Sequence, residues 1–472
     1  MKEEQTMNRR TERVIWAGVS TVLIGLVVVM LFAPTVLAQS RTADRTALFS
    51  SFENVFSYIE RNFVEEVSPE VLIQGAMRGM FESLDDRYSA FLPPREMESL
   101  GDVTTGAFGG VGMYISRTDD DEDGFVEVVE PIPGTPAFRA GVRIGDEIYQ
   151  IDGESAQGFS TEEVANRLRG PEGTTVELVV RRAGNRFETY ELTRARVEVP
   201  TVRAEMMPDR IGYMRVQSFT PFTVPRMRDA LQDFISDGAE GLVLDLRGNS
   251  GGLLRAAVDA ADLFISDGII VGTTSRIPRE STEFRARSAT TLLGRDVPMV
   301  VLIDGASASG AEILAGALQD SGRARLVGVR TFGKGSVQQV QSAGAIPGGF
   351  RLTLSRYYTP SGAYIDERGI DPDFEVRPAT MTDAERENYA EMLGSRRVER
   401  FVEDNPRASR ARIDRYVREL SEEFNVPERF IRRFVTEELA RAQNQAIVFD
   451  LDFDVMLQEA LRVLQQSPVS SR

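Results

Sequence analysis

The sequence predicts an α/β core carrying an inserted β-rich module, with helical segments at both ends. Three observations carry this expectation. Residues 205–378 alternate apolar runs of buried-strand length with helical patterns. Residues 104–197 break instead into short strands separated by glycines and acidic turns. The flanking stretches, 41–100 and 380 onward, read as helices.

Composition narrows the chemistry. At 472 residues the chain is long enough for two or three cores. Its net charge of −17 argues against nucleic acid, whose binding calls for a basic face. It holds neither cysteine nor histidine. The first absence excludes disulfides, thiol nucleophiles and cysteine-bound metals. The second removes the commonest general base, so hydrolytic chemistry would fall to lysine, aspartate or glutamate.

Taken in order, residues 1–40 come first. Arg9, Arg10 and Arg13 precede an uncharged run from Val14 to Ser40, and its apolar part, Val14–Phe32, is long enough to span a bilayer. Val36-Leu37-Ala38 would suit signal cleavage. The segment therefore reads as a membrane anchor through residues 14–32 or as a signal peptide. Either puts the remainder outside the cytoplasm, in the periplasm or at the cell surface. In the helical region 41–103, Phe52, Val55, Phe56, Ile59 and Phe63 recur at helical spacing, as do Val71, Ile73, Met77 and Met80. Ser83-Leu84-Asp85-Asp86 and Pro93-Pro94 are expected to end it.

In the module 104–197 the candidate strands are Val111–Ser116, Phe125–Val129, Glu147–Ile151, Val176–Arg181 and Arg186–Leu192. One helix, Thr161–Leu168, interrupts them, opened by a capping box from Ser160 to Glu163. In the core, 198–380, Gly241–Leu246 and Met299–Ile303 are buried-strand runs. Helices follow at about Leu253–Phe264 and Gly310–Asp320. Residues 381–472 are charged and helical in pattern, broken at Pro406 and Pro427.

Three motif matches are set aside on physical grounds. Gly248-Asn249-Ser250-Gly251-Gly252 fits a nucleophile elbow, but that chemistry needs a later histidine. Gly328 to Lys334 fits most of a P-loop, but Gly335 stands where a magnesium-binding hydroxyl belongs and a strand pattern follows. Asp119, Asp121, Asp123, Gly124 and Glu130 fit a calcium loop, yet both flanks are strand-like where helices are required. An acidic hairpin tip is the expectation, and no metal site is assigned.

The remaining chemistry gathers at two segments. Asp304-Gly305-Ala306-Ser307-Ala308-Ser309-Gly310-Ala311-Glu312 joins a buried strand to a helix through small residues. Ser309 there reads either as an N-cap, with Glu312 completing a capping box, or as a nucleophile beside amides aimed at an oxyanion. In the second, Thr331 to Gln338, Lys334 and Gln338 share one face of a strand. A lysine there would be either a surface residue or a base, and a base must be neutral.

Together these segments resemble the C-terminal processing peptidases, also called tail-specific proteases. The matches are A-S-x-x-E around Ser309, T-F-G-K-G-x-V-Q around Lys334, and D-L-R-x-N-x-G-G at Asp245–Gly252. Tyr358-Thr359-Pro360-Ser361-Gly362 and Gly369-Ile370-x-Pro372-Asp373 match as well. Phe108-Gly109-Gly110-Val111-Gly112 and Leu168-Arg169-Gly170 look like the family's PDZ segments. Two features depart from the family pattern: Gly310-Ala311 in place of Ala-Ser, and a long segment at about 380–450.

The resemblance implies a crotonase/ClpP-like protease core and a serine endopeptidase without a cofactor. Ser309 would be the nucleophile, Lys334 the base and Gln338 the orienting third member, with Asp320 as an acid implicated in some members. Gly251, Gly252 and Gly310 would form the oxyanion hole. In the PDZ module, Gly110, Val111, Gly112 and Met113 would cradle the C-terminal carboxylate of a protein or peptide substrate with a free or apolar tail. Arg169 would report that occupancy, and homo-oligomers are an open expectation. Two other readings stand beside this one: a catalytically silent PDZ peptide-binding scaffold, and a coenzyme A-dependent enzyme on a related fold.

Overall fold

In the computed structural model the fully buried runs Gly241–Asp245 and Met299–Ile303 become neighbouring parallel strands of one sheet. The structure describes residues 45–117, 124–182, 185–445 and 447–466. The expected anchor or signal, 14–32, and the acids Asp119, Asp121 and Asp123 lie outside the described residues. Among those described, no helix is long and apolar enough to cross a membrane.

The chain divides into two units, residues 1–91 with 344–346, and residues 92–343 with 347–472. The first holds a helix over 45–62 and a second, Pro69–Glu82, whose N-terminal amide at Val71 is capped by Ser68 Oγ at 3.4 Å. Both follow the sequence periodicity. Pro93-Pro94, expected as a stop, opens a further helix instead, Pro94–Thr105, in the second unit. A proline in the first turn has no amide to satisfy and its φ is already helical, so it starts a helix as readily as it stops one.

In the second unit the core sheet runs in the order Val202–Met207, Ile211–Val216, Gly241–Asp245, Met299–Ile303, Arg325–Gly328, Phe374–Glu375. Its first pair is antiparallel and the rest are parallel. Helices Thr223–Ser236, Leu254–Ala261 and Gly310–Asp320 cover one face in one apolar cluster with Met214, Leu244 and Val301. The opposite face is covered by Val455–Gln466, which buries Met456, Leu457, Ala460, Val463 and Leu464. Strands buried on both faces read as continuous apolar runs, which is why they were legible. A separate antiparallel sheet joins Ser336–Ser342, Gly349–Tyr358, Ile269–Ser275 and Thr282–Arg285.

The inserted module is an antiparallel sheet in the order Met113–Ser116, Glu127–Pro131, Glu147–Ile151, Thr175–Arg182, Arg186–Thr193. Its core is Val126, Val128, Ile148, Leu178 and Val180, all fully buried. Helix Thr161–Leu168 has the expected capping box, with Ser160 N donating to Glu163 Oε2 at 2.8 Å and Glu163 N to Ser160 Oγ at 3.2 Å. A second short helix, Pro136–Ala140, was not anticipated. Where the chain enters and leaves the module, Ala107–Gly110 pairs antiparallel with Ala195–Glu198. That pairing makes it an insertion. Beyond the core, helices Asp383–Gly394, Arg397–Asp404, Arg410–Phe424 and Glu428–Ala442 pack around their own cluster, centred on Val417, Leu420, Ile431 and Val435.

Candidate active site

Two turns at the carboxyl ends of neighbouring parallel strands build the site. After Met299–Ile303, Asp304 folds its turn back: Oδ1 accepts from the amides of Ala306 and Ser307, and from Gly248 across the gap, each at 3.0 Å. Ser307 Oγ donates to Leu246 O at 2.9 Å, and Ala308 N to Asn249 O at 2.9 Å. The two turns are thereby stitched into one wall. On the other side, Arg247 is bidentate to both Asp245 and Asp454, with contacts of 2.6–2.9 Å. This ties the glycine turn to the start of helix Val455–Gln466.

Ser309 sits at the helix entrance with φ 53° and ψ −112°, a conformation that side-chain-bearing residues rarely adopt. It is 7% exposed, and its side chain lies close enough to the Tyr357 phenol to act against the rise of that phenol's pKa. Burial pushes that phenol up to about 12, so it stays protonated. Sequence reasoning missed Tyr357. It lies beside the matched Tyr358–Gly362 run, and only the fold carries it to Ser309.

Glu312 binds the two chemical segments together. Its Oε2 accepts from the amides of Ser309 at 2.8 Å and Lys334 at 2.9 Å, and its Oε1 accepts from Thr331 Oγ1 at 2.6 Å and Gly333 N at 2.7 Å. The backbones of Ser309 and Lys334 thus converge on one oxygen. Glu312 is fully buried, and burial raises its pKa while the four donors act against that rise. The S-x-x-E spacing predicts the bond to Ser309 N, but the reach to the lysine segment is tertiary.

Lys334 is half-buried. Its amine is held below the usual lysine value, by burial first and by the Arg351 guanidinium second, with Glu312 opposing. A lysine base is expected to lose its charge through desolvation or a nearby cation, and the fold supplies both, the cation being Arg351. Gln338 lies on the strand that follows, where its Nε2 donates to Ser336 Oγ at 2.8 Å and Thr353 Oγ1 at 3.3 Å. The amide nitrogen is thus engaged by its own sheet. Asp320 does not join the site. It ends the helix that Ser309 begins, is exposed, and accepts the Ser361 amide at 2.9 Å. An eleven-residue helix puts it about 16 Å along the axis from Ser309.

The glycine turn is cut close to Ser309. A Cβ on Gly251, whose φ is +107°, would lie 2.7 Å from Ser309 Cβ. The Gly251 amide, however, donates to Asn249 Oδ1 at 2.8 Å, and its carbonyl accepts from Phe219 N at 2.9 Å. Both polar groups of Gly251 are therefore spent on structure. Among the described residues, the amides of Gly252 and Gly310 carry no hydrogen bond.

In the inserted module, Gly110 to Met113 leads into the terminal strand of its sheet, Met113–Ser116. The carbonyls of Val111 and Gly112 turn inward, accepting from Ala137 N at 2.9 Å and from Ile132 N at 3.1 Å. Arg169 caps the helix Thr161–Leu168 and stacks on Phe108, its guanidinium carbon 5.0 Å from the ring centre. Glu130, the last acid of the calcium-loop match, is ion-paired with Arg203.

Against known proteins, residues 210–376 match peptidase family S41, residues 127–182 a PDZ domain, and residues 33–94 the activating protease CtpB N-terminal domain. A carboxy-terminal-processing protease of Bartonella bacilliformis is 37% identical over 72% of this chain and 79% of its own. The carboxy-terminal processing protease CtpA of Bacillus subtilis is 31% identical over 72% of each. A carboxyl-terminal-processing protease of Synechocystis is 34% identical over 80% of this chain and 91% of its own. Among solved structures, a photosystem II D1 C-terminal processing protease is 32% identical, covers 69% of this chain and 86% of its own, and has a TM-score of 0.40.

Proposed function

The chain belongs to the carboxy-terminal processing proteases of peptidase family S41, with a PDZ domain, and we propose that it cuts peptide bonds with Ser309 as nucleophile and Lys334 as general base. The observation that carries this reading is the shared carboxylate. Glu312 Oε2 holds the amides of both residues, and the amine of Lys334 is held below its usual value by burial and Arg351. A lysine so placed is neutral in a larger fraction of molecules at a given pH and can take the Ser309 proton.

In the step we propose, Ser309 Oγ attacks the scissile carbonyl while Lys334 Nζ accepts its proton. The oxyanion is met by the amides of Gly252 and Gly310, the two left without acceptors. Lys334 returns the proton to the leaving amine, and water then releases the acyl group by the same route. The bonds that engage Gly251 argue for a structural part for that residue. Gln338 would set the strand on which Lys334 is carried rather than the amine itself.

Substrate tails would enter through the PDZ module. Met113–Ser116 ends its sheet, so an extended peptide can add beside it with its carboxylate at Gly110–Met113. Arg169, stacked beside this loop on Phe108, is the cation we assign to sensing the occupied state. We place the activity outside the cytoplasm on the strength of residues 1–40. The test is to incubate the purified protein with an unfolded substrate protein and sequence the new ends. Wild type should generate new C-termini and Ser309→Ala none. Cleavage surviving in Ser309→Ala would overturn the assignment and favour another nucleophile.

A further inference from the structure

The PDZ strand Glu127–Pro131 is held from outside its own module at both ends. Its pairing with Met113–Ser116 skips Val129, so Tyr114 lies opposite Glu130 and Ile115 opposite Val128. Val128 is fully buried in the module core, and unbroken alternation would send Glu130 to that same face. The skipped residue turns Glu130 outward. There it forms an ion pair with Arg203 of the core strand Val202–Met207, whose charge also lies near enough to the Tyr114 phenol to lower its pKa against burial. The Arg203 and Glu130 side chains are only 25% and 20% exposed, so this pair is poorly screened by solvent. At the strand's other end, Glu127 meets Arg441 of the C-terminal helices at 3.0 Å, and nearby Ile144 N donates to Asn444 Oδ1 at 3.3 Å.

From Arg203 the contacts continue to the chemistry. Val202–Met207 pairs with Ile211–Val216, placing Val202 opposite Val216. Val216 O accepts from Asn249 Nδ2 at 2.9 Å, and Asn249 Oδ1 holds the Gly251 amide beside Ser309. We infer that Arg203 is a positioning residue for tail-selective cleavage. Through Glu130, which lies opposite Tyr114, it sets the peptide-receiving PDZ strand Met113–Ser116 against the strand that leads to the glycine turn. Arg203 touches neither the scissile bond nor the carboxylate loop. It acts on where a captured tail is presented, and the C-terminal helices keep the far end of the strand from drifting. This inference rests on the reading that Ser309 cuts tails captured at Gly110–Met113. Contiguity alone does not establish coupling, so the readout has to be selectivity.

The experiment compares kcat/KM on one peptide with a free C-terminus and on its amidated twin. It uses the full chain as wild type, Arg203→Gln, Glu130→Gln, and the swap that combines Arg203→Glu with Glu130→Arg. Each single variant should lose at least about fivefold of the preference for the free tail while cutting the amidated peptide as wild type does. The swap should bring the preference back toward wild type. A wild type indifferent to amidation overturns the tail-capture reading and this inference with it. If wild type discriminates, three results overturn the inference alone: single variants that keep the preference, single variants that lose both substrates equally, or a swap that restores nothing.

Discussion

Lys334 carries its amine below the ordinary value of 10.5, because burial and Arg351 disfavour the charged form more than Glu312 favours it. Activity should therefore rise with pH through an apparent pKa below 10.5, as the amine loses its proton and becomes a base. Arg351→Gln removes one of the two depressing influences, so the pH–rate curve should move to higher pH with its plateau kept. A curve that stays in place would show that Arg351 does not reach the amine. If Ser309 and Lys334 act as we propose, Ser309→Ala and Lys334→Ala should each cost on the order of a thousandfold or more in kcat, and the double variant no more than either single, because a nucleophile and its base work as one unit. Single and double variants assayed together on one peptide decide this. At Glu312 the argument concerns donors. Glu312→Ala would leave the Ser309, Gly333 and Lys334 amides and the Thr331 hydroxyl without their acceptor. Each buried donor left unpaired costs about 1–3 kcal/mol, so a lower unfolding midpoint in denaturant should accompany the loss of kcat.

At the scale of elements, the lysine segment depends on a close approach between backbones. A Cβ on Gly335 would fall 2.0 Å from the amide nitrogen of Asp366, an atom with no freedom to move aside. Gly335→Ala should therefore displace the start of strand Ser336–Ser342 and Lys334 with it. A misplacement of about 1 Å at a reacting group costs on the order of a hundredfold in rate, so kcat should fall by that order while the PDZ module stays intact. Unchanged kcat would show that the segment has slack. The last helix is an element of a different kind. Val455–Gln466 covers the second face of the core sheet with five buried apolar side chains, and its entrance is tied to the glycine turn by Arg247 and Asp454. It packs on the core sheet although the four helices of residues 383–442, with a cluster of their own, precede it. Its i, i+4, i+7, i+8 stripe is visible in the sequence, but the sheet face that receives it is not.

At the scale of the whole molecule, the pairing of Ala107–Gly110 with Ala195–Glu198 brings the ends of the PDZ insertion together. Replacing residues 108–197 with a short turn should therefore leave a folded core that cuts small peptides but has lost its preference for a free tail. If the shortened protein kept that preference, selectivity would reside in the core. Between the PDZ module and the C-terminal helices lies a cleft of about 1000 Å³ rich in charge on both walls, from Glu127, Arg143 and Arg181 to Glu399, Glu438 and Arg441. Burial raises the pKa of Glu438, and Glu399, Glu127 and Glu437 add to the rise against Arg441. A carboxyl raised above its unfolded value favours folding when protonated, and that contribution is lost as pH climbs through the folded pKa. Glu438→Gln should accordingly raise Tm at neutral pH and leave it unchanged well below pH 4. Thermal melts at both pH values check the sign.

By itself the sequence determined the layered core and the insertion, and its resemblance to the family singled out Ser309 and Lys334, the pair we propose reacts. Each rests on local signals: strands apolar on both faces, a capping box, glycines beside a serine and a lysine, and the absence of histidine. Tertiary structure alone decided the rest. It put Tyr357 near Ser309 and Arg351 near Lys334, and it left Asp320 at the exposed far end of its helix. It engaged the Gly251 amide, aimed Glu130 at Arg203, and returned the last helix to the catalytic sheet. The reason is physical. Propensity and periodicity act over a few residues and are written along the chain, whereas a partner tens or hundreds of residues away is chosen by packing, which no local pattern encodes.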